Sequence, residues 1–336
     1  LKNRLIVPIY FKYDFSIGYD DNVFRFSDSE KNSDNSYIYM GDAKNYDSAI
    51  IKYGLRVLYS PYLIHNKVTN FIFYLGQADY SHIEDKSNFY YSARFDYKIG
   101  KYNWFKIGYS AAIDNFLRYY SDKDVPGNEY LKCNYDSESV YANYSFNLKK
   151  YGWARIQLAK KNQFFNPSFT EFDLEVVSFS VNHNYRYKTY NFGLTYFKDV
   201  ANNVSYLNGL NSSLIDRSYD SVGLKFYVKK KTNKFLNYIR FGASINQRVY
   251  LSQNSSSDIL HSGRSHLETA IFMQLSKQIT PSINIDCKYT FVGRKTDSNL
   301  QWYDTVNAED FDIDALKSFK ENQFVIKFSY DMDVDL

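Results

Sequence analysis

Apolar and polar residues alternate one for one through most of this chain. In FYYSARFDYKIG (89–100), Phe89, Tyr91, Ala93, Phe95, Tyr97 and Ile99 share one phase, while Tyr90, Ser92, Arg94, Asp96 and Lys98 share the other. Period two is the mark of a β-strand with one apolar and one polar face. The pattern recurs from end to end and predicts fourteen strands, at about 6–19, 48–60, 67–82, 88–100, 104–118, 136–149, 152–164, 172–187, 191–201, 218–230, 238–252, 265–278, 283–296 and 322–335. Most reach the ~10 residues a strand needs to cross a bilayer at a tilt. No helical period is sustained and no Gly/Ser-rich linker divides the chain, so one domain over 1–336 is expected.

The connections tend to alternate in length. GKYN (100–103), KKYG (149–152), YKTYN (187–191), KKKTNKFLN (229–237) and QITPS (278–282) are short; 20–47, 119–135, 202–217, 253–264 and 297–321 are long. The connection at 83–87 falls on the long side of this scheme and is short. Short turns on one side and long loops on the other describe an up-and-down transmembrane barrel with periplasmic turns and extracellular loops. An even strand number puts both termini on the turn side, where the first and last strands pair and close the sheet. Trp104, Trp153, Phe192 and Tyr238 each follow a short turn, as rings at a headgroup layer would. A soluble sandwich would show shorter strands with turn signals every ~8–12 residues.

Composition agrees with a barrel. Of 336 residues, 35 are Tyr and 27 Phe, against 5 Pro; aromatic residues favour strands. Mean hydropathy is -0.50, and no run approaches the ~18 apolar residues of a membrane helix. Neither observation excludes a barrel, which shows aromatics to lipid and polar groups to its lumen. The net charge of +4 is too small to imply a polyanionic partner. Cys133 and Cys287 lie far apart, without metal or redox spacing, and are expected to be unpaired. No basic stretch followed by an apolar one opens the numbering at Leu1, so for an exported barrel a signal peptide is expected to have been removed before it.

Extending the phase of 89–100 to the other strands turns Lys12, Lys52, Arg56, Arg94, Lys98, Lys106, Arg155, Arg186, Lys225, Lys229, Arg240, Arg248, Lys288, Arg294 and Lys327 inward, with the acids Asp14, Asp96, Asp114, Glu268, Asp286 and Asp331. A lining dominated by one sign focuses potential and favours counter-ions, here anions. The competing reading is that these residues pair into cross-strand ladders that only brace the wall.

Other chemistry finds little support. The acidic loops 20–47 and 304–321 lack EF-hand spacing and read as solvated loops able to fold inward and narrow the mouth. The five histidines are His65, His82, His183, His261 and His266; His183 shares the apolar phase of Phe179 and Val181, and HSGRSH (261–266) lies at a loop edge. No phosphate-binding glycine loop and no haem or zinc spacing is present. Neither an enzyme nor a cofactor or metal is therefore expected. Charges and aromatics on opposite faces also argue against nucleic acid.

YDFSIGYDDNVFRFSD (13–28), and within it Gly18-Tyr19-Asp20-Asp21-Asn22-Val23-Phe24, resembles the opening of bacterial outer-membrane barrels of the porin and exopolysaccharide-export kind. The last strand, with Phe324, Ile326, Phe328, Tyr330, Met332, Val334 and Leu336 in one phase, resembles the C-terminal strand of bacterial outer-membrane proteins, with Leu336 in place of the usual terminal aromatic. The resemblance implies passage of a polysaccharide or general diffusion. The expectation is an all-β, antiparallel, fourteen-stranded barrel in a bacterial outer membrane, passively conducting hydrophilic, preferably anionic solutes or acidic polysaccharide. Its partners would be membrane lipid and lipopolysaccharide, the solutes, and envelope proteins. The alternative is a non-conducting barrel that anchors a surface or envelope assembly through its long loops.

Overall fold

The computed structural model describes residues 9–32, 36–43, 45–64, 67–122, 124, 129–204, 214–232, 235–298, 302–304, 309–311 and 313–333. His65, Ser33, Asn233 and the end of the last predicted strand, 334–336, lie outside them. Fourteen long strands follow one another: β1 (Ile9–Asp20), β2 (Ser48–Tyr59), β3 (Lys67–Tyr80), β4 (Asn88–Lys98), β5 (Trp104–Ser121), β6 (Tyr130–Asn147) and β7 (Trp153–Phe165), then β8 (Leu174–Tyr187), β9 (Tyr190–Asn203), β10 (Tyr219–Lys231), β11 (Tyr238–Tyr250), β12 (Arg264–Gln278), β13 (Ile283–Ser298) and β14 (Phe319–Asp333). Each pairs antiparallel with its neighbours in sequence, and β1 pairs with β14 from Tyr10↔Asp333 to Asp20↔Gln323. The sheet is closed, so it has no free edge.

Register separates the two faces. Ile17 lies between Ile51 and Ile326, whereas the next residue back, Ser16, lies between Lys52 and Lys327. The first row belongs to a continuous exposed apolar surface that includes Leu75, Ile107, Leu158, Leu194, Phe241 and Ile271, the last 60% exposed. The densest cores of the chain lie instead among the connections, where Phe26 and Phe169 are fully buried. Apolar outside and polar inside is the arrangement a hydrocarbon solvent selects.

The inner face has its own packing. Glycines there are covered by rings from a neighbouring strand. A Cβ at Gly193 would meet the Tyr227 ring, one at Gly223 the Phe197 ring, and one at Gly242 the Phe272 ring, all under 2.5 Å. The rings therefore lie flat against the wall, which leaves the lumen wider than upright rings would.

At one end the connections are tight. Gly152 turns with φ +95°, where any Cβ would strike the Asn184 carbonyl, and Lys188 takes positive φ in the turn joining β8 to β9. At the other end lie the described parts of the longer connections, among them 21–32, 36–43, 81–87, 166–173, 214–218, 251–263 and 313–318. The segment 119–135, read as a loop, is partly strand: β5 runs on to Ser121 and β6 begins at Tyr130. Two bulges, between Ala112 and Asn115 and between Phe116 and Arg118, break the period and hid this extension. The reading of the turn-side aromatics also needs correction. Phe192 faces outward beside Leu194, but Trp104, Trp153 and Tyr238 share the inward phase of Lys106, Arg155 and Arg240.

Candidate functional site

The lumen's upper end is built from the first long connection. Asn22, fully buried, bonds through its side-chain amide to the carbonyls of Phe26 and Lys320, and accepts from the Phe26 N–H. Asp21 accepts from both the backbone and the side chain of Asn322. The Asp-Asp-Asn run thus bolts the chain to β14 and turns it inward. Helix α1 (Asp28–Lys31) follows, capped by Ser27 and Glu30 in a capping box. Glu30 then pairs with Arg118 of β5 at 2.8 Å, above a cluster of Val23, Phe24, Phe26, Met40, Ile83 and Phe116. A second helix, α2 (Ser36–Met40), brings in Met40, and a third, α3 (Ile313–Lys317), packs against α1 and β13. Two connections therefore fold into the mouth, as their length allowed.

Below them, register puts all fifteen sequence-predicted bases in the inward phase of their strands with no irregularity; Arg294 shares the row of Asn246 and Glu268. Five make ion pairs: Lys12–Asp331 (3.1 Å), Lys327–Asp14 (3.0 Å), Arg94–Asp96 (2.8 Å), Lys106–Asp96 (3.0 Å) and Arg294–Glu268 (3.2 Å). Asp286 takes hydrogen bonds from the Tyr238 hydroxyl and the Asn284 amide instead. Asp114 is a correction. It sits at the β5 bulge with φ +55°, and its carboxylate meets Asn134 and Lys132, of the phase that carries Val140 outward, so it does not line the lumen.

Ten of the bases have no carboxylate within ion-pair distance among the described residues: Lys52, Arg56, Lys98, Arg155, Arg186, Lys225, Lys229, Arg240, Arg248 and Lys288. Eight of these lie against aromatic faces instead. Arg56 is over Tyr74, Lys98 over Trp104 and Arg155 over Trp153. Lys225 is 4.8 Å from the Phe197 centroid, Lys229 is 3.5 Å from Tyr238 and Arg240 is 4.0 Å from Tyr227. Arg248 is 4.1 Å from Tyr219 and Lys288 5.3 Å from Phe272. A ring face attracts a cation through its quadrupole but carries no net charge. Such a base is positioned without being neutralised. Lys52, Arg56, Lys225 and Lys288 are also well exposed although they point inward, so the lumen around them is open to water.

Sequence reasoning missed several inward residues. Lys161 continues the phase of Arg155, and Arg264 and His266 step back by twos from Glu268. Asp20, Asp199 and Glu321 are inward acids it also omitted. The signal was the same alternation, which already runs through Lys161, Asp199 and His266 inside their predicted strands and reaches Asp20, Arg264 and Glu321 one residue beyond the predicted ends. His183 does face outward, and its Nε2 meets the Tyr151 carbonyl at 2.7 Å.

A closed antiparallel barrel with an apolar belt and a charged, hydrated interior defines the outer-membrane class of membrane protein. No protein-family model matches the chain, and no curated protein matches it. Solved barrels resemble it over nearly their whole length. The outer membrane channel DcaP of Acinetobacter baumannii aligns at 11% identity and a TM-score of 0.47, covering 99% of each chain. An anion-selective porin from Comamonas acidovorans aligns at 7% identity and a TM-score of 0.42, covering 97% of this chain and 99% of that one. A bacterial polysaccharide outer membrane secretin aligns at 8% identity and a TM-score of 0.44, covering 96% and 98%. The likeness is one of barrel architecture and says nothing of solute or site.

Proposed function

We propose that this chain is a passive channel of the bacterial outer membrane whose lumen favours hydrophilic anions, acidic saccharides among them. One observation carries the reading: most of the inward bases rest on aromatic faces rather than on carboxylates. Charge-compensating ladders would leave little net potential in the lumen, whereas bases held on neutral rings leave theirs intact. The rings suit saccharides as well, since a sugar's C–H face packs on an aromatic surface while its acidic group reaches a neighbouring base.

The test is electrical. Purified protein in a planar bilayer under a salt gradient should conduct, with a reversal potential of the sign that reports anions moving more readily than cations. Conductance with cation preference would overturn the selectivity. No conductance at all would overturn the channel, leaving the anchoring barrel, with its folded mouth connections, as the reading to pursue.

A further inference from the structure

Near the mouth, three adjacent strands place their inward polar residues in consecutive rows. Arg248 of β11, His266 of β12 and Thr296 of β13 form one row, and Arg294 stands opposite Glu268 in the next. Arg264 begins β12 one row higher, its guanidinium carbon 4.2 Å from the centre of the Tyr250 ring. Arg264 and His266 are only 5% and 4% exposed. In this one patch Arg264 Nε, Arg294 Nε, His266 Nε2 and Thr296 Oγ1 are all buried with no hydrogen-bond partner among the described residues.

The charge balance is one-sided. Glu268 serves Arg294 through a terminal nitrogen, leaving its Nε free, and Asp258 is engaged by His261 at 2.7 Å. Among the described residues neither Arg248 nor Arg264 has a carboxylate within ion-pair distance; Arg248 rests on Tyr219 and Arg264 on Tyr250, and both hydrogen-bond the Tyr250 hydroxyl. The nearest acid along the Arg248 row, Asp199, lies beyond Ser221 of the intervening strand. Buried donors left unmatched are costly, by roughly 1–3 kcal/mol each and more when charged. An oxyanion reverses that cost, because it offers several acceptor atoms and a compensating charge at once. Arg248 and Arg294 are only half-buried, so the patch is reached from the lumen and not from lipid.

We infer that Arg248, Arg264 and Arg294, with His266 and Thr296, form a binding site for the carboxylate or phosphate group of a solute in the lumen, below the mouth. The inference rests on the anion-channel reading and adds a discrete station to it. The Tyr250 and Tyr219 rings fix two of the arginines, so the site is organised before the ligand arrives. An anion would dwell there rather than only drift through a positive field.

The experiment separates the site from the channel. Binding is read by calorimetry on detergent-solubilised barrel at fixed ionic strength, titrating inorganic phosphate and, in parallel, glucuronate, with glucose as the uncharged control. The expected result is saturable one-to-one binding of at least one of the two anions and none of glucose. Arg248→Gln and Arg264→Gln should each weaken it about tenfold or more, equivalent to ~1.4 kcal/mol; Arg56→Gln and Lys225→Gln, elsewhere in the lumen, should leave it within a factor of about two. Tighter glucuronate binding would identify the source as an acidic sugar, and tighter phosphate binding as a phosphorylated solute. Each variant is first checked for the heat-dependent gel migration of a folded barrel. If Arg264→Gln fails to fold, the half-buried Arg248 carries the test. No saturable binding by the wild type, or equal weakening by all four variants, overturns the site. Binding without conductance would sink the channel and spare the site; conductance without binding would do the reverse.

Discussion

Gly242, Phe272 and Arg240 show how individual residues make this wall. The glycine has no side chain, so the ring from the next strand lies over it, and the guanidinium settles 5.3 Å from that ring's centre and 4.0 Å from that of Tyr227. Because Lys225 and Arg56 balance no carboxylate, Lys225→Gln and Arg56→Gln should assemble nearly as well as wild type. On the outer face the opposite holds. Ile326 lies between Ile17 and Cys287, and Phe95 packs on Phe71 with ring centres 5.4 Å apart. Arginine at either position would meet hydrocarbon, at a cost of roughly 2–4 kcal/mol at the midplane. Ile326→Arg and Phe95→Arg should therefore reduce the folded, heat-modifiable fraction sharply. Equal damage from the inner and outer substitutions would mean the two faces have been assigned the wrong way round.

Strands were more legible than what joins them. Period two marks both face and extent, because a strand of a barrel meets lipid on one side and water on the other. It fails where a bulge inserts a residue, as at Asp114, and at strand ends, where Arg264 fell just outside the predicted strand. The ring-held bases were not legible at all: Arg240 reaches Tyr227 only because register sets Tyr227 opposite Gly242, and no local sequence rule fixes that pairing. Among the connections, 166–173 is predicted to respond to pH. Glu171 there is pushed up to about 7, chiefly by burial and further by Asp124 and Asp122, against a backbone hydrogen bond and Arg217. A raised carboxyl favours the folded loop at acid pH, fully so below the ordinary value near 4.5 and progressively less as pH rises through about 7. Hydrogen exchange across 166–173, corrected for its intrinsic pH dependence, should show weaker protection at pH 8 than at pH 5, and Glu171→Gln should flatten the difference. A second check concerns sidedness. Cysteine at the exposed Ser255 should react with an impermeant reagent on intact cells, and cysteine at Lys101, in a tight turn, should not. The reverse pattern would invert the barrel.

For the whole molecule, the closed sheet supplies insulation and the interior supplies the field. Ion pairs gather at the β14–β1 seam, at β4–β5 and at β12–β13, while bases with no carboxylate partner among the described residues occupy β2, β7, β8, β10 and β11, with Lys98 on β4 and Lys288 on β13. The positive potential should therefore come from those strands. It should also fade with salt, since the Debye length falls from about 30 Å at 0.01 M to about 3 Å at 1 M. The most direct measurement is the reversal potential of a variant carrying Arg56→Glu, Lys225→Glu, Arg240→Glu and Lys288→Glu, beside the wild type, in bilayers across a range of salt. The wild type should prefer anions and the variant should shift toward cations, with the gap widest in dilute salt. A variant that folds and conducts with the wild-type selectivity at every salt concentration would contradict the claim that these ring-held bases set the field of the lumen.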